Sequence, residues 1–402
     1  MEVLYLAIVF SVIAVLVALR KPLNLALTVG IICTVLLFRM ELPEALKVLG
    51  RQTVAWETID LLVGFYVIVV LQLMLEKKGR LTQAKDAFNR LLRNRRINTI
   101  VSPAIMGLLP SAAVMTICAD MVEETCGTYM DAKSKTFVAC FYRHIPELFL
   151  PTFPVILLAM SLSGENVGVF ILAMLPLAVL ACLVVEVIYL RQIPREMPPL
   201  EEKVNKKREI FRLLRNLWPL ILVLAIIIAG NLSAAFAGPI VIFINFFADH
   251  FQLNDLPKLL RKSVEPVMLC NMYLIMLFKS LLLHTGALLA LPSFFAQLPI
   301  SLAMSFLLLF FVGTVISGSQ AIVAVGLPMA MAALPEGGLP LLVILMGTAW
   351  AAMELSPTHV CAFVAAECFH TTFMDIVVKA LPSVLIFSAL CYGYGQALAL
   401  AL

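Results

Sequence analysis

Val315–Leu327 reads V-I-S-G-S-Q-A-I-V-A-V-G-L. Apolar, helix-like sequence runs into this stretch and out of it, yet Ser317, Gly318, Ser319 and Gln320 stand at its centre. A helix crossing a bilayer has no reason to place S-G-S-Q in its middle. Non-helical backbone at membrane depth is tolerated only where protein or a water-filled cavity surrounds it. The stretch is therefore expected to be the tip of a re-entrant hairpin that touches a solute.

Composition supports a membrane setting. Of 402 residues, 62% are hydrophobic and 13% charged, with a mean hydropathy of +1.01, whereas soluble domains are about half apolar and a quarter charged. The chain is expected to be an all-α polytopic membrane protein. A net charge of +4 gives no sign of a nucleic-acid partner. Nine cysteines lie mostly in apolar segments without a C-x-x-C pair, and read as reduced thiols. Glu2 stands where a signal peptide carries basic residues, so the first apolar run is expected to stay as a membrane helix.

In chain order, the expected spans are Val3–Leu19, Leu23–Phe38 and Thr58–Leu75, with an amphipathic segment at Leu42–Val54. A basic linker, 76–98, follows and is expected in the cytoplasm. Residues 102–122 read as a hairpin entering from the cytoplasm, because Pro110 disrupts the middle of an otherwise apolar run. Residues 137–160 form an unusual span holding Arg143, His144, Pro146 and Glu147, and 166–190 the fifth span. A second basic linker, 192–216, is also expected in the cytoplasm and divides the halves. The second half, 217–402, repeats the plan: three helices, a hairpin at 300–334 entering from outside, a broken helix at 339–371 containing E-L-S-P-T-H, and a last helix at 375–402.

With both linkers inside, the N-terminus is outside and the halves have opposite topology. Hairpin tips at 111 and 318 stand 207 positions apart, and the prolines at 146 and 357 stand 211 apart. This agreement points to two inverted repeats, 1–191 and 217–402, with about ten transmembrane helices and two re-entrant hairpins. Many secondary transporters share that plan and hold solute near the midplane.

The segments G-L-L-P-S (Gly107–Ser111), R-H-I-P-E-L-F-L-P-T-F-P (Arg143–Pro154), S-G-S-Q-A-I-V-A-V-G-L-P (Ser317–Pro328) and L-S-P-T-H-V-C (Leu355–Cys361) resemble the prokaryotic domain-of-unknown-function family 401. That family is grouped with the ion transporter superfamily, beside gluconate-type permeases and dicarboxylate carriers. The resemblance covers essentially the whole chain. It implies inverted repeats, hairpins meeting near the membrane centre, a homodimer and an elevator-like movement in the cytoplasmic (inner) membrane. Dicarboxylate carriers have Ser-Asn-Thr at their hairpin tips, whereas this chain has Pro-Ser-Ala and Ser-Gly-Ser-Gln, so dicarboxylate and sodium specificity do not carry over.

The residues suggest the chemistry. Helix ends meeting at mid-membrane present unpaired amides and carbonyls. Pro110, Ser111, Ser317, Gly318, Ser319 and Gln320 are expected to contact solute, although small residues also simply let hairpins pack. Arg143 and His144 are candidate anion contacts. An arginine in a span is costly and tends to face a cavity or a partner, although near a helix end it can also snorkel. Ser356, Thr358 and His359 at the second break are further candidates. Glu147 and Glu354 are candidate proton or cation carriers, or else paired structural charges. The spacings His144-x-x-Glu147 and Glu367-x-x-His370 suit a metal, but the pairs lie at different depths and no metal is expected. Walker, Rossmann and G-x-S-x-G signatures are lacking.

The expected function is secondary transport of a small, carboxylate-like organic anion, coupled to H⁺ or Na⁺, without a resident cofactor. Two alternatives are a cation/proton exchanger without organic substrate and a membrane-embedded enzyme acting on a lipid-linked substrate.

Overall fold

A computed structural model describes residues 2–19, 21–109, 114–197, 204–287 and 300–401. The expected hairpin tip at Pro110 and Ser111 lies outside the described residues. Among those described, the structure is helical without strands, apart from a lone antiparallel bridge between Asn94 and Glu196.

The helices of the first half are α1 (Glu2–Ala18), α2 (Leu23–Leu37), α3 (Leu42–Thr53), α4 (Trp56–Lys77), α5 (Arg80–Leu91), α6 (Arg95–Met106), α7 (Val114–Cys126), α8 (Ala132–Arg143), α9 (Pro154–Ser163) and α10 (Val167–Val185). Those of the second half are α11 (Lys206–Gly230), α12 (Ala234–Ala248), α13 (Leu256–Lys262), α14 (Pro266–His284), α15 (Leu302–Ser317), α16 (Ser319–Ala333), α17 (Gly338–Met353), α18 (Val360–Cys368) and α19 (Phe373–Ala401). Among the described residues, six stretches are long and apolar enough to cross a membrane: α4, α10 with the turn that extends it to Leu190, α11, α14, α17 with its lead-in from Pro335, and α19. The protein is accordingly membrane-embedded. Six shorter apolar helices of 10–17 residues accompany them.

Burial ranks these helices. The most apolar windows of α4 and α17 are each 72% buried, against 28% for α11. An apolar helix buried all round is a central one, whereas α11 turns Ile221 and Ile228 outward, as a lipid-facing helix does. Elements of the two halves pack together at the centre: α4 against α12, α9 against α16, and α8 against α18.

The segment 76–98, read from sequence as a linker, is largely helical, and α11 begins inside the segment read as the second linker. The cause in α5 is an amphipathic stripe: Leu81, Ala84 and Ala87 recur at helical spacing and are buried. Arg80 is buried with them, and its guanidinium engages the Asp249 carboxylate through Nε and Nη2.

Chain breaks follow from local chemistry. Asp131 caps α8, accepting from the Ser134 amide. Pro146, which lacks an amide donor, stops α8 and turns 145–148 into a 3₁₀ segment. Proline at the first helical position opens α9, and Gly164 closes it with φ +73. Between α15 and α16, Gly318 has φ +85 and ψ 159, a region that essentially only glycine occupies. The two helices then lie close together, since a Cβ on Gly313 would sit 2.5 Å from the Ile322 side chain.

Candidate functional site

Three chain breaks converge. The end of α8 and the turn after it carry Arg143, His144 and Glu147. The turn between α17 and α18 carries Glu354, Ser356, Thr358 and His359. Gly318 separates α15 from α16 and touches the second turn, for a Cβ there would lie 2.9 Å from Thr358 Oγ1.

The first two breaks meet through their histidines. His144 Nε2 and His359 Nε2 are 3.0 Å apart, with the rings edge-on. The hydrogen-bond pattern assigns the tautomers. His144 Nδ1 lies 2.6 Å from the Cys140 carbonyl, which can only accept, so Nδ1 carries the proton. His144 Nε2 is then an acceptor, shared by Arg143 at 2.8 Å and by the Nε2–H of His359. The backbone is fixed as well: Trp350 Nε1 of α17 donates to the His144 carbonyl at 2.8 Å. Arg143 also reaches the Leu109 carbonyl at 3.4 Å and stands 3.6 Å from Glu147 Oε1. Glu354, 1% exposed, lies 3.5 Å from His144 Nδ1.

A cavity of about 450 Å³ lies against this cluster. Its wall takes Phe65, Val69 and Gln72 from α4, Glu147, Thr152 and the start of α9, Ser317–Ala321, Thr358 and the Met346–Met353 face of α17. Glu265, Met268 and Asn271 at the start of α14 complete it. Of the residues expected from sequence, Glu147, Ser317, Gly318, Ser319, Gln320 and Thr358 line the cavity. Arg143, His144, Ser356, Glu354 and His359 are buried behind it. Ser317 is turned back on its own helix, donating to the Gly313 carbonyl at 2.7 Å, and Ser356 is paired with Thr358 at 2.8 Å.

Two helices point their N-termini into this cavity. Neither α9 nor α16 has a side-chain cap. The first amides of a helix lack intrahelical acceptors and carry partial positive charge, so α16 offers donors to an anion, whereas α9 opens on Pro154 and offers the Val155 amide. Its charged side chains are the carboxylates Glu147 and Glu265. Glu147 stands between the cavity and Arg143, with 33% of its side chain exposed against 3% for Arg143.

Sequence reasoning missed Gln72, Thr152 and Asn271. Gln72 interrupts the apolar run of α4, a signal that could have found it, and it donates to the Leu108 carbonyl at 3.2 Å. Thr152 Oγ1 and Asn271 Oδ1 are buried polar atoms on the wall without a partner among the described residues. Lys279 and His284 of α14 pair with Glu57 at 3.5 Å and Glu44 at 2.9 Å, away from the cavity wall.

Cys140, His144, Glu354 and His359 bring one potential ligand atom each within 4.8 Å of one another. Such a donor set suits a transition metal. However, both nitrogens of His144 are committed, one to the Cys140 carbonyl and one to a guanidinium that repels a cation. We therefore assign no metal to the cluster.

No curated protein matches the chain. The family model described as "Protein of unknown function (DUF401)" matches residues 3–394. The chain belongs to that family.

Proposed function

We propose that the protein is a secondary transporter that moves a small organic anion together with a proton. The supporting observation is the placement of Glu147: its carboxylate separates the cavity from the buried Arg143 guanidinium at 3.6 Å. A buried charge left unpaired is strongly destabilising. With the cavity free of solute, Glu147 balances Arg143. A proton on Glu147 removes that balance, and a solute carboxylate entering the cavity restores it. Anion and proton are thus loaded together, and neither is favoured alone. The amides at the start of α16, with the Val155 amide of α9, hold the remaining solute oxygens, and Thr152, Asn271 and Gln72 supply neutral polar contacts. A volume of about 450 Å³ lies within the range of roughly 300–1,000 Å³ for small-molecule pockets.

In this reading α1, α2, α4, the broken pair α8–α9 and α10 make five crossings. The chain α11, α12, α14, the broken pair α17–α18 and α19 makes five more with inverted topology. The pairs α6–α7 and α15–α16 are re-entrant hairpins. Val17, Leu23 and Glu265 on the cavity wall lie beside Lys21 and Lys262 in sequence, and the positive-inside rule puts that side of the cavity toward the cytoplasm. Membership of the ion transporter superfamily, a homodimer and an elevator movement in the inner membrane complete the proposal.

A cation/proton exchanger is the second reading, favoured by the two carboxylates on the cavity wall. Proteoliposome uptake distinguishes the two. Glu147→Gln mimics the protonated state, so anion exchange persists while uptake driven by a pH gradient is lost. Arg143→Gln abolishes both. Gradient-driven anion uptake by Glu147→Gln would overturn the coupling scheme. Cation flux that survives Arg143→Gln would establish the exchanger.

A further inference from the structure

A second cavity, of about 390 Å³, lies between α5 and the start of α11. Lys78, Arg80, Arg208, Arg212 and Arg215 line it. The one carboxylate on its wall, Asp249, is already engaged by Arg80, which also donates to the Arg215 carbonyl. Glu209 touches Arg212 only at 3.9 Å and is shared with Arg90. Lys78 faces the Phe251 ring at 4.6 Å. Among the described residues, no carboxylate stands within 4 Å of Lys78, Arg208 or Arg215. Burial and the adjacent Arg215 charge hold the Arg80 guanidinium below its ordinary value, which marks the crowding of positive charge. Cations gathered in a cleft without counterions repel one another, so the cleft is stable in proportion to the anion it holds.

The position of α11 indicates where that anion comes from. Its 25 residues span about 37 Å at 1.5 Å per residue, longer than a hydrocarbon core of about 30 Å. The charges sit in its first turns, with the apolar run after Leu217. Arg208, Arg212 and Arg215, spaced by four and three, share one face. Ile210, Phe211 and Leu214 are 48%, 66% and 52% exposed on another, and Phe211 borders the cavity. Phosphate would meet the arginines where acyl chains meet Phe211 and Leu214.

We propose that this cleft binds the phosphodiester headgroup of an anionic phospholipid. Inorganic phosphate offers the same oxygens but no chain to cover Phe211, and the test separates the two. Phosphatidylglycerol and phosphatidylcholine binding to the full-length protein in detergent is measured by native mass spectrometry, with inorganic phosphate as a further arm. Wild type should prefer phosphatidylglycerol. Arg212→Gln with Arg215→Gln should weaken that lipid roughly 30-fold, at about 1 kcal/mol per basic residue near an anionic lipid surface. If the double variant does not fold, Arg208→Gln should weaken it roughly fivefold by the same measure. Unchanged phosphatidylglycerol affinity in a folded variant overturns the proposal, as does equal binding of phosphatidylcholine by wild type. Thermal stabilisation by millimolar phosphate equal to that by the lipid overturns the lipid assignment.

Discussion

Replacing Gly318 by alanine tests the junction on which the candidate site depends. Gly318 has φ +85 and ψ 159, and a side chain in that region costs on the order of 1–3 kcal/mol in backbone strain. The added Cβ would also lie 2.9 Å from Thr358 Oγ1, closer than van der Waals contact. Thr358 must turn away, weakening its 2.8 Å hydrogen bond with Ser356, at a further cost of about 1 kcal/mol. The sum is about 2–4 kcal/mol. With an unfolding entropy of about 2.1 cal/mol/K per residue, a chain of 402 residues loses roughly 1.2 °C of Tm per kcal/mol. Gly318→Ala should therefore lower the apparent Tm of the purified protein by about 2–5 °C, read as a thermal shift in detergent. Gly318→Asn is the informative companion. Asparagine tolerates left-handed backbone with ψ near +47° but not ψ near 159°, so it should rescue nothing. A Gly318→Ala Tm within half a degree of wild type would refute the strained junction. Recovery by asparagine would show an ordinary left-handed turn in its place.

Other perturbations read other parts of the structure. Asp249→Asn leaves the buried Arg80 without its carboxylate; the loss should approach 3–5 kcal/mol, seen as a fall in Tm larger than that of Gly318→Ala. Trp350→Phe keeps an aromatic ring but removes one of the two donors to the His144 carbonyl, leaving the Glu147 amide; about 0.5–1.5 kcal/mol should be lost, and solute affinity should fall because Trp350 lines the cavity. The Lys77 ammonium bonded to Asp255 at 2.5 Å holds that carboxyl below the usual carboxylate range. A depressed folded-state value gives stability that is complete above the ordinary carboxylate pKa and is lost as pH falls through the lower folded value. Asp255→Asn should accordingly flatten the acid limb of a Tm–pH curve and leave its alkaline limb unchanged; an acid limb identical to wild type counts against the pair.

The breaks were legible because glycine and proline act locally. Gly318, Pro146 and Pro357 each interrupt apolar sequence, and helices end beside each of them. The helix α5 was obscured although its signal is also local: Leu81, Ala84 and Ala87 keep helical spacing, but dense charge around them resembles a linker. What local sequence does not carry is partnership. His144 and His359 are 215 positions apart and touch through their Nε2 atoms. Nothing near Thr152 or Asn271 marks them as cavity wall, because that role arises when α9 and α14 pack against α4.

Arg143 illustrates why residue type and residue role separate. An arginine inside an apolar segment suggests an anion contact, and by sequence it ranks above Glu147 as a solute ligand. In the fold Glu147 lines the cavity, and Arg143 sits behind it among His144, the Leu109 carbonyl and the carboxylate itself. The physical reason is desolvation. A guanidinium open to an apolar cavity would need a permanent counterion, whereas one packed against acceptors needs only a carboxylate nearby. Because the balancing group is a carboxylate rather than a fixed dipole, a proton can remove it. Under the proposed function, a solute anion would compete with Glu147, 3.6 Å from Arg143, for one positive charge. On this account the affinity for anion should rise as pH falls in wild type and be independent of pH in Glu147→Gln. Ligand-induced thermal shifts of the two proteins across a pH series measure that difference directly, and parallel pH dependence in both would mean that the competing proton resides elsewhere.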